Sequence, residues 1–207
     1  MAKDTRDRMI ETTARLLQHR GYHGTALSDI LEQSAAPRGS LYFHFPGGKE
    51  QLALEATRVA VEETSQALRA VFAKANGPAA GIRDFIKAAA DIMRHCDYTF
   101  GCPVAGVILD ATAAQKELAE LCRAALEEWI ELIEGALRKA GIPAKRARNL
   151  AILVEASLEG SMLIARAYRD TAAMMAIATE LEQVVRAAMP QPGRQTQKTK
   201  AVRVRPS

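Results

Sequence analysis

The sequence predicts an all-α protein: a small N-terminal three-helix unit, then a larger helical body. Three observations predict it. Of 207 residues 48% are apolar but only 5% aromatic, with Ala and Leu abundant, a balance that favours helix over sheet. Apolar residues recur at three- and four-residue spacing along most of the chain. Gly and Pro gather at a few breaks, and no run reads as a strand.

A first helix is expected from Thr5 to Arg20, where Ile10, Ala14 and Leu17 share a face. Gly21 and Gly24 bracket a turn. Thr25 then reads as the N-cap of a short second helix, with Ser28 at the third position and Ile30 and Leu31 on the buried side. Ser28 is too short to reach back as Glu or Gln would, so only half a capping box is present. "SAAP" (34–37) turns the chain and puts Pro37 at the first position of a third short helix, where a missing N–H costs nothing. Pro46-Gly47-Gly48 ends this unit, and a long helix follows from Lys49 towards Ala75. "ANGPAAG" (75–81) is the next break. Helices are then expected over Ile82–Cys96, briefly after Pro103, over Lys116–Ala140 and Lys145–Arg169, and to about Ala188. The last carries Met175, Ala178, Leu181 and Val185 on one stripe. The chain thus divides into residues 1–48, 49–188 and a basic tail over 189–207.

Charge is less telling than the net +4 implies. The tail holds Arg194, Lys198, Lys200, Arg203 and Arg205 without an acid; setting those five aside leaves 23 of the 28 basic residues against 24 acids. The body is near neutral, so a basic pI does not by itself mark it as nucleic-acid binding. The tail lacks the apolar surface to order itself and is expected to be solvated. No stretch reaches the roughly 18 apolar residues of a membrane span. The charged start, "MAKDTRDRM", does not read as a signal peptide. Cys96, Cys102 and Cys122 are odd in number with no paired spacing, which suits a reducing cytoplasm.

The stretch "PRGSLYFHFPGGKEQL" (37–52) carries the most chemistry. It is not a phosphate-binding loop, because Gly48-Lys49 is followed by Glu50 and Phe43 stands where the first glycine belongs. As the second helix of a helix-turn-helix it would present its first turn to a DNA major groove. Arg38 can donate two bonds to guanine, and Ser40 can bond a base edge or a phosphate. Gly39 lets the backbone approach closely. Tyr42 and His44 suit phosphate contacts that set register, and Lys49 adds charge beside the free N–H groups of the next helix. Leu41 and Phe45 would face inward. The residue types alone leave a second reading open, an ordinary helical hairpin with its polar groups in water.

Residues 9–54, centred on "GYHGTALSDILEQSAAPRGSLYFHFPGGKEQLALEA", strongly resemble the DNA-binding domain of the TetR/AcrR family of transcriptional repressors. The resemblance rests on Gly-Tyr-x-Gly-Thr, an Ile in the second helix, Gly-Ser-Leu-Tyr-x-His-Phe and Lys-Glu-x-Leu. "FPGGKEQL", one residue longer than the usual link, looks like the LmrA/YxaF-like branch, as do "GCPVAG" (101–106) and "LEGSMLIAR" (158–166). The resemblance implies a cytoplasmic homodimer on a palindromic double-stranded operator, each third helix in one major-groove half-site. It also implies release by a small-molecule effector bound in the body. Carried over by position, Thr25, Arg38, Gly39, Ser40, Tyr42, His44 and Lys49 form the DNA-facing set. Two residues depart from the pattern. Ala35 stands where a turn glycine is usual, so a positive φ would cost about 1 kcal/mol, or the turn differs. Phe43 stands where a second Tyr is frequent.

In the body, Cys102 is open to three readings: a packed thiol, a redox or electrophile sensor, or a nucleophile activated by His95. A metal site from His95, Cys96 and Cys102 lacks a fourth ligand, and no motif implies a cofactor. Trp129 reads as core or as pocket wall. Glu155 and Glu159, four apart on an apolar helix, would orient a cationic ligand if they face inward and otherwise sit in solvent. Gly160 costs about 1 kcal/mol in a helix relative to Ala, so its small size is expected to serve close approach. A dimer interface from Ser157, Gly160 and Ser161 with Leu181 and Val185 is the simplest account; tight packing within one subunit is the other.

Overall fold

The computed structural model describes residues 4–110 and 115–190. Asp4 starts the first helix, α1 (Thr5–Arg20), its carboxylate accepting the Thr5 N–H at 2.6 Å. Met9, Leu16 and Leu17 are buried along one face. Gly21, at φ +70°, ends the helix with its N–H donating to the Leu17 carbonyl.

α2 (Leu27–Gln33) begins one residue later than the sequence predicts. Its N-cap is Ala26, which has no capping side chain, and Thr25 is fully buried with its hydroxyl donating to the Gly21 carbonyl at 2.7 Å. The Thr25 cap is therefore incorrect: the hydroxyl closes the turn after α1 rather than opening α2. α2 ends in a Schellman turn, with the Ala35 N–H donating to Glu32 O and the Ala36 N–H to Leu31 O. That turn forces Ala35 to φ +51°. The position is exposed, so nothing but a glycine's freedom is missing there. Ala35→Gly is expected to raise stability by about 1 kcal/mol, the left-handed penalty less glycine's extra unfolded-state entropy. Chemical denaturation measures it, and an equal or lower midpoint would count against the strain.

α3 (Arg38–His44) follows, with Pro37 at the N-cap rather than at the first helical position. Leu41 and Phe45 are buried as expected. Phe45 has no exposed surface, and the Arg6 guanidinium lies over its ring. The basic side chains of α1 are largely spoken for: Arg6 pairs with Glu55, Arg20 with Asp29 at 2.7 Å, Arg15 with Gln33 at 3.0 Å, and Arg8 Nε reaches Ser34 O at 3.1 Å. These contacts tie α1 to α2, to Phe45 at the end of α3 and to Glu55 of the next helix.

Pro46-Gly47-Gly48 passes into α4 (Gly48–Lys74) with Gly48 at φ +63°, the left-handed region that favours glycine. α5 (Pro78–His95) starts four residues before the expected Ile82, because Pro78 is itself the helix starter. α6 (Ala105–Asp110), α7 (Lys116–Lys139), α8 (Ala144–Tyr168) and α9 (Ala172–Ala188) complete the body close to their expected bounds. α9 packs on α5 and α8, and α7 lies against α4 and α8. No strand occurs among the described residues. Most of the tail, residues 191–207, lies outside them.

Candidate functional site

The outward surface of the N-terminal unit is built around the first turns of α3. Arg38 and Gly39 are exposed, and the Arg38 guanidinium makes no hydrogen bond or ion pair with a described residue. A Cβ at Gly39 would meet nothing within 4 Å, so this side of the helix is open to a large partner. Ser40 donates its hydroxyl to Pro37 O at 2.6 Å and keeps its lone pairs for an incoming donor. Tyr42 is 63% and Phe43 80% exposed, a poor place for aromatic rings in water unless something covers them. His44 is half-buried between the Phe43 and Phe45 rings. A free cation, an open backbone and a phenol thus share one short, rigidly held helix.

Two other predicted members of this set lie elsewhere. Thr25 has no exposed surface and its hydroxyl is occupied, so its side chain is unavailable for a phosphate in this conformation. Lys49 is half-buried, its ammonium 4.4 Å from the centroid of the Tyr22 ring. Burial lowers its pKa, and Asp110 partly offsets the shift. Asp110, the last residue of α6, also accepts the His23 N–H at 3.0 Å. Gly106 of the same helix sits where a Cβ would come 3.3 Å from Leu17 O. α6 therefore docks on the end of α1 beside the α4 start, a junction that no local pattern announces.

Between α4, α5, α7 and α8 lies a cavity of about 430 Å³, partly open to solvent. The three predicted pocket residues, Trp129, Glu155 and Cys102, all lie on its wall. Trp129 donates its indole N–H to Ser65 Oγ at 2.9 Å, so its polar atom is satisfied outside the cavity. Phe85, Ile92, Phe100 and Met162 add apolar wall, and Gln18 of α1 reaches in from the N-terminal unit. Sequence reading missed these residues because a wall residue and a core residue look alike on an amphipathic helix.

The cavity's polarity is one-sided. Glu155, Glu159 and Glu63 line it, and no Lys, Arg or His does. Glu155 is buried, which overturns the solvated-face reading for it. Burial, then the neighbouring Glu159, push its carboxyl from an ordinary 4.5 up to about 7. Burial also raises Glu159, partly offset by a hydrogen bond from the Cys102 thiol. The unfolded chain ionises Glu155 near 4.5, so between there and about 7 only the folded form keeps its proton. Stability accordingly falls as pH rises through that window. Glu155→Gln is expected to flatten the decline of Tm between about pH 5 and 7.5. A decline as steep as that of the parent would refute this assignment.

The setting of Cys102 opposes the thiol readings. Burial and the Glu159 carboxylate push the thiol far up, opposing the thiolate that sensing or attack requires. His95, the supposed activator, holds its Nδ1 2.7 Å from Asp91 O. Among the described residues, no group of three His, Cys, Asp or Glu could hold a metal ion.

The predicted interface set also divides. Ser161 is buried and donates to Leu158 O at 2.8 Å, while Leu181 and Val185 sit in the subunit's own core. They are corrected to intrasubunit packing, because the α9 stripe faces α5 and α8. Gly160 is exposed, with nothing within 4 Å of its Cβ position, and Ser157 is half-buried. Around Gly160, α8 exposes Ile152, Leu153, Leu163, Ile164 and Tyr168. The exposed apolar face runs past Ser157 and Gly160, and of the predicted α8 residues only Ser161 turns inward.

Comparisons with known proteins agree with this architecture. The model described as "Bacterial regulatory proteins, tetR family" matches residues 9–56, and "Transcriptional regulator LmrA/YxaF-like, C-terminal domain" matches 78–180. The chain is 34% identical over 176 residues to the HTH-type transcriptional regulator LmrA of Bacillus subtilis, covering 85% of this chain and 94% of that one. It is 30% identical over 184 residues to YxaF of the same organism, covering 88% of this chain and 96% of the relative. A TetR regulator from Chloroflexus aurantiacus superposes with a TM-score of 0.75 at 27% identity, over 89% of this chain and 96% of that one. The TetR-family regulator CifR, solved with a 26-bp operator DNA, shares the fold at a TM-score of 0.77 and 22% identity, over 92% and 98% of the two chains. No described helix is long and apolar enough to cross a membrane. The chain belongs to the TetR family of HTH-type transcriptional regulators, in its LmrA/YxaF-like branch, and regulates transcription rather than catalysing a reaction.

Proposed function

We propose that this regulator is a cytoplasmic repressor that binds a palindromic operator as a homodimer and is released by a small molecule held in the body cavity. The carrying observation is the unpaired Arg38 beside Gly39 and Ser40 at the exposed start of α3. Arg38 reads a base edge and Ser40 a base or phosphate, while Tyr42 and His44 contact the backbone. Thr25 and Lys49 serve by holding the reader's shape. Residues 1–48 are the DNA-reading unit and 49–188 the ligand-binding and dimerisation body.

The path from cavity to DNA is short. Gln18 and Phe100–Pro103 line the cavity, and the latter run directly into α6, whose Asp110 holds the His23 N–H. A ligand that spreads these walls shifts α6 against α1 and alters the spacing of the two readers. Release needs the ligand to bind the DNA-incompetent arrangement more tightly than the competent one. Footprinting on the DNA flanking the gene tests the proposal. Two symmetric protected half-sites, centred about 34–36 Å apart or a multiple of that, are expected. Protection of a single site, or none, would sink the dimeric-repressor reading.

A further inference from the structure

Glu155 is 92% buried by its 8% exposure, faces the cavity and has no hydrogen-bond partner among the described residues. Glu159, one turn away, has only the Cys102 thiol. An acidic pair so enclosed normally has a basic partner, since a buried charge without one is costly. None lines this cavity. Aromatic rings do: Trp129, Phe85 and Phe100. Carboxylates on one side and ring faces on the others form the surroundings that stabilise an ammonium group, by charge pairing and by cation–π attraction. An anion would meet three acids and no donor cation. A neutral ligand would leave the carboxyls as uncompensated as they are now.

We infer that the cavity takes a lipophilic cation, an amine or quaternary ammonium on an apolar body, with its charge beside Glu155 and Glu159 and its body against Trp129. This rests on the cavity being the effector site and adds the effector's chemical class. The cation supplies the charge that the walls lack, and Ile92 and Met162 take up the apolar portion. Its charge also gives the cation a differential hold on any arrangement in which both carboxylates face inward.

Trp129 is the only tryptophan, so its fluorescence reports the cavity directly in the full-length protein. Three probes of similar shape separate the outcomes: 4-phenylbutyltrimethylammonium, the neutral compound with a tert-butyl group in place of trimethylammonium, and 4-phenylbutyrate. The cation is expected to bind at least about tenfold more tightly than the neutral probe, with the anion weakest. Glu155→Gln is expected to erase most of that gap and to leave the neutral probe's affinity in place. Glu159→Gln provides a second variant should the first not fold. Neutral and cationic probes binding alike, or a gap unchanged in the variant that folds, overturns the cationic class while the effector cavity stands. If no probe changes Trp129 emission or releases DNA, the effector-cavity reading falls with it.

Discussion

Arg38→Ala is expected to weaken operator binding by roughly a hundredfold or more. A bidentate arginine–guanine contact contributes about 1–3 kcal/mol of discrimination, and a dimer loses it at both half-sites. Nothing inside the protein explains the side chain: it is exposed, makes no ion pair, and follows a proline that fixes the backbone at φ −61°. Removing it should therefore leave the melting temperature unchanged. Arg38→Lys keeps the charge but loses the planar fork, so the salt dependence should persist while sequence preference relaxes. Arg123→Ala is the control, since that residue pairs with Glu120 on the far body helix α7. Titration of labelled operator at fixed salt measures all three. Parent-like affinity in Arg38→Ala would remove this residue from the reading surface.

A comparable loss should follow from Leu163→Glu with Ile164→Glu on α8. Leu163 is 71% and Ile164 44% exposed, in an apolar row with Ile152, Leu153 and the open Gly160. Apolar surface of this extent on one helix marks an association site. In the proposed dimer, two carboxylates there would face their own copies across a two-fold axis, where like charges in a closing interface repel. The expected result is a monomer by sedimentation with intact helical signal, and operator affinity reduced to that of a single reader. A dimer that persists would move the interface elsewhere. The Leu181 and Val185 positions offer the contrast: buried within the subunit, they should lose stability when truncated without first changing the oligomeric state.

Much of the fold was legible because helices announce themselves locally. The periodicity of Ile10, Ala14 and Leu17 and the breaks at Pro46-Gly47-Gly48 and 75–81 placed most helices within a residue or two. The errors fell at caps. Thr25 has the right side chain for an N-cap, but burial against the Gly21 carbonyl gave its hydroxyl a nearer acceptor. Pro78 sits in a stretch whose composition marks a break, yet proline also begins helices and does so here. Ala35 is a misfit in its turn by residue type, and the turn nevertheless takes the positive φ.

The reading surface and the cavity differ in how far sequence reaches them. Arg38, Gly39, Ser40 and Tyr42 lie within five consecutive residues, so one helical turn brings them together. The cavity draws Gln18 from α1, Phe85 from α5, Trp129 from α7 and Glu155 from α8, and their convergence depends on how those helices cross. By itself the sequence determined the helical class, the break at Pro46-Gly47-Gly48, and the clustering of Arg38, Gly39 and Ser40 on one turn, because each follows from local spacing. Only the tertiary structure decided that Glu155 faces inward without a basic partner, that Leu181 is core, and that Asp110 reaches the His23 N–H across 87 residues. Which face of a helix meets which neighbour is set by packing between segments distant in sequence, and no local pattern records it.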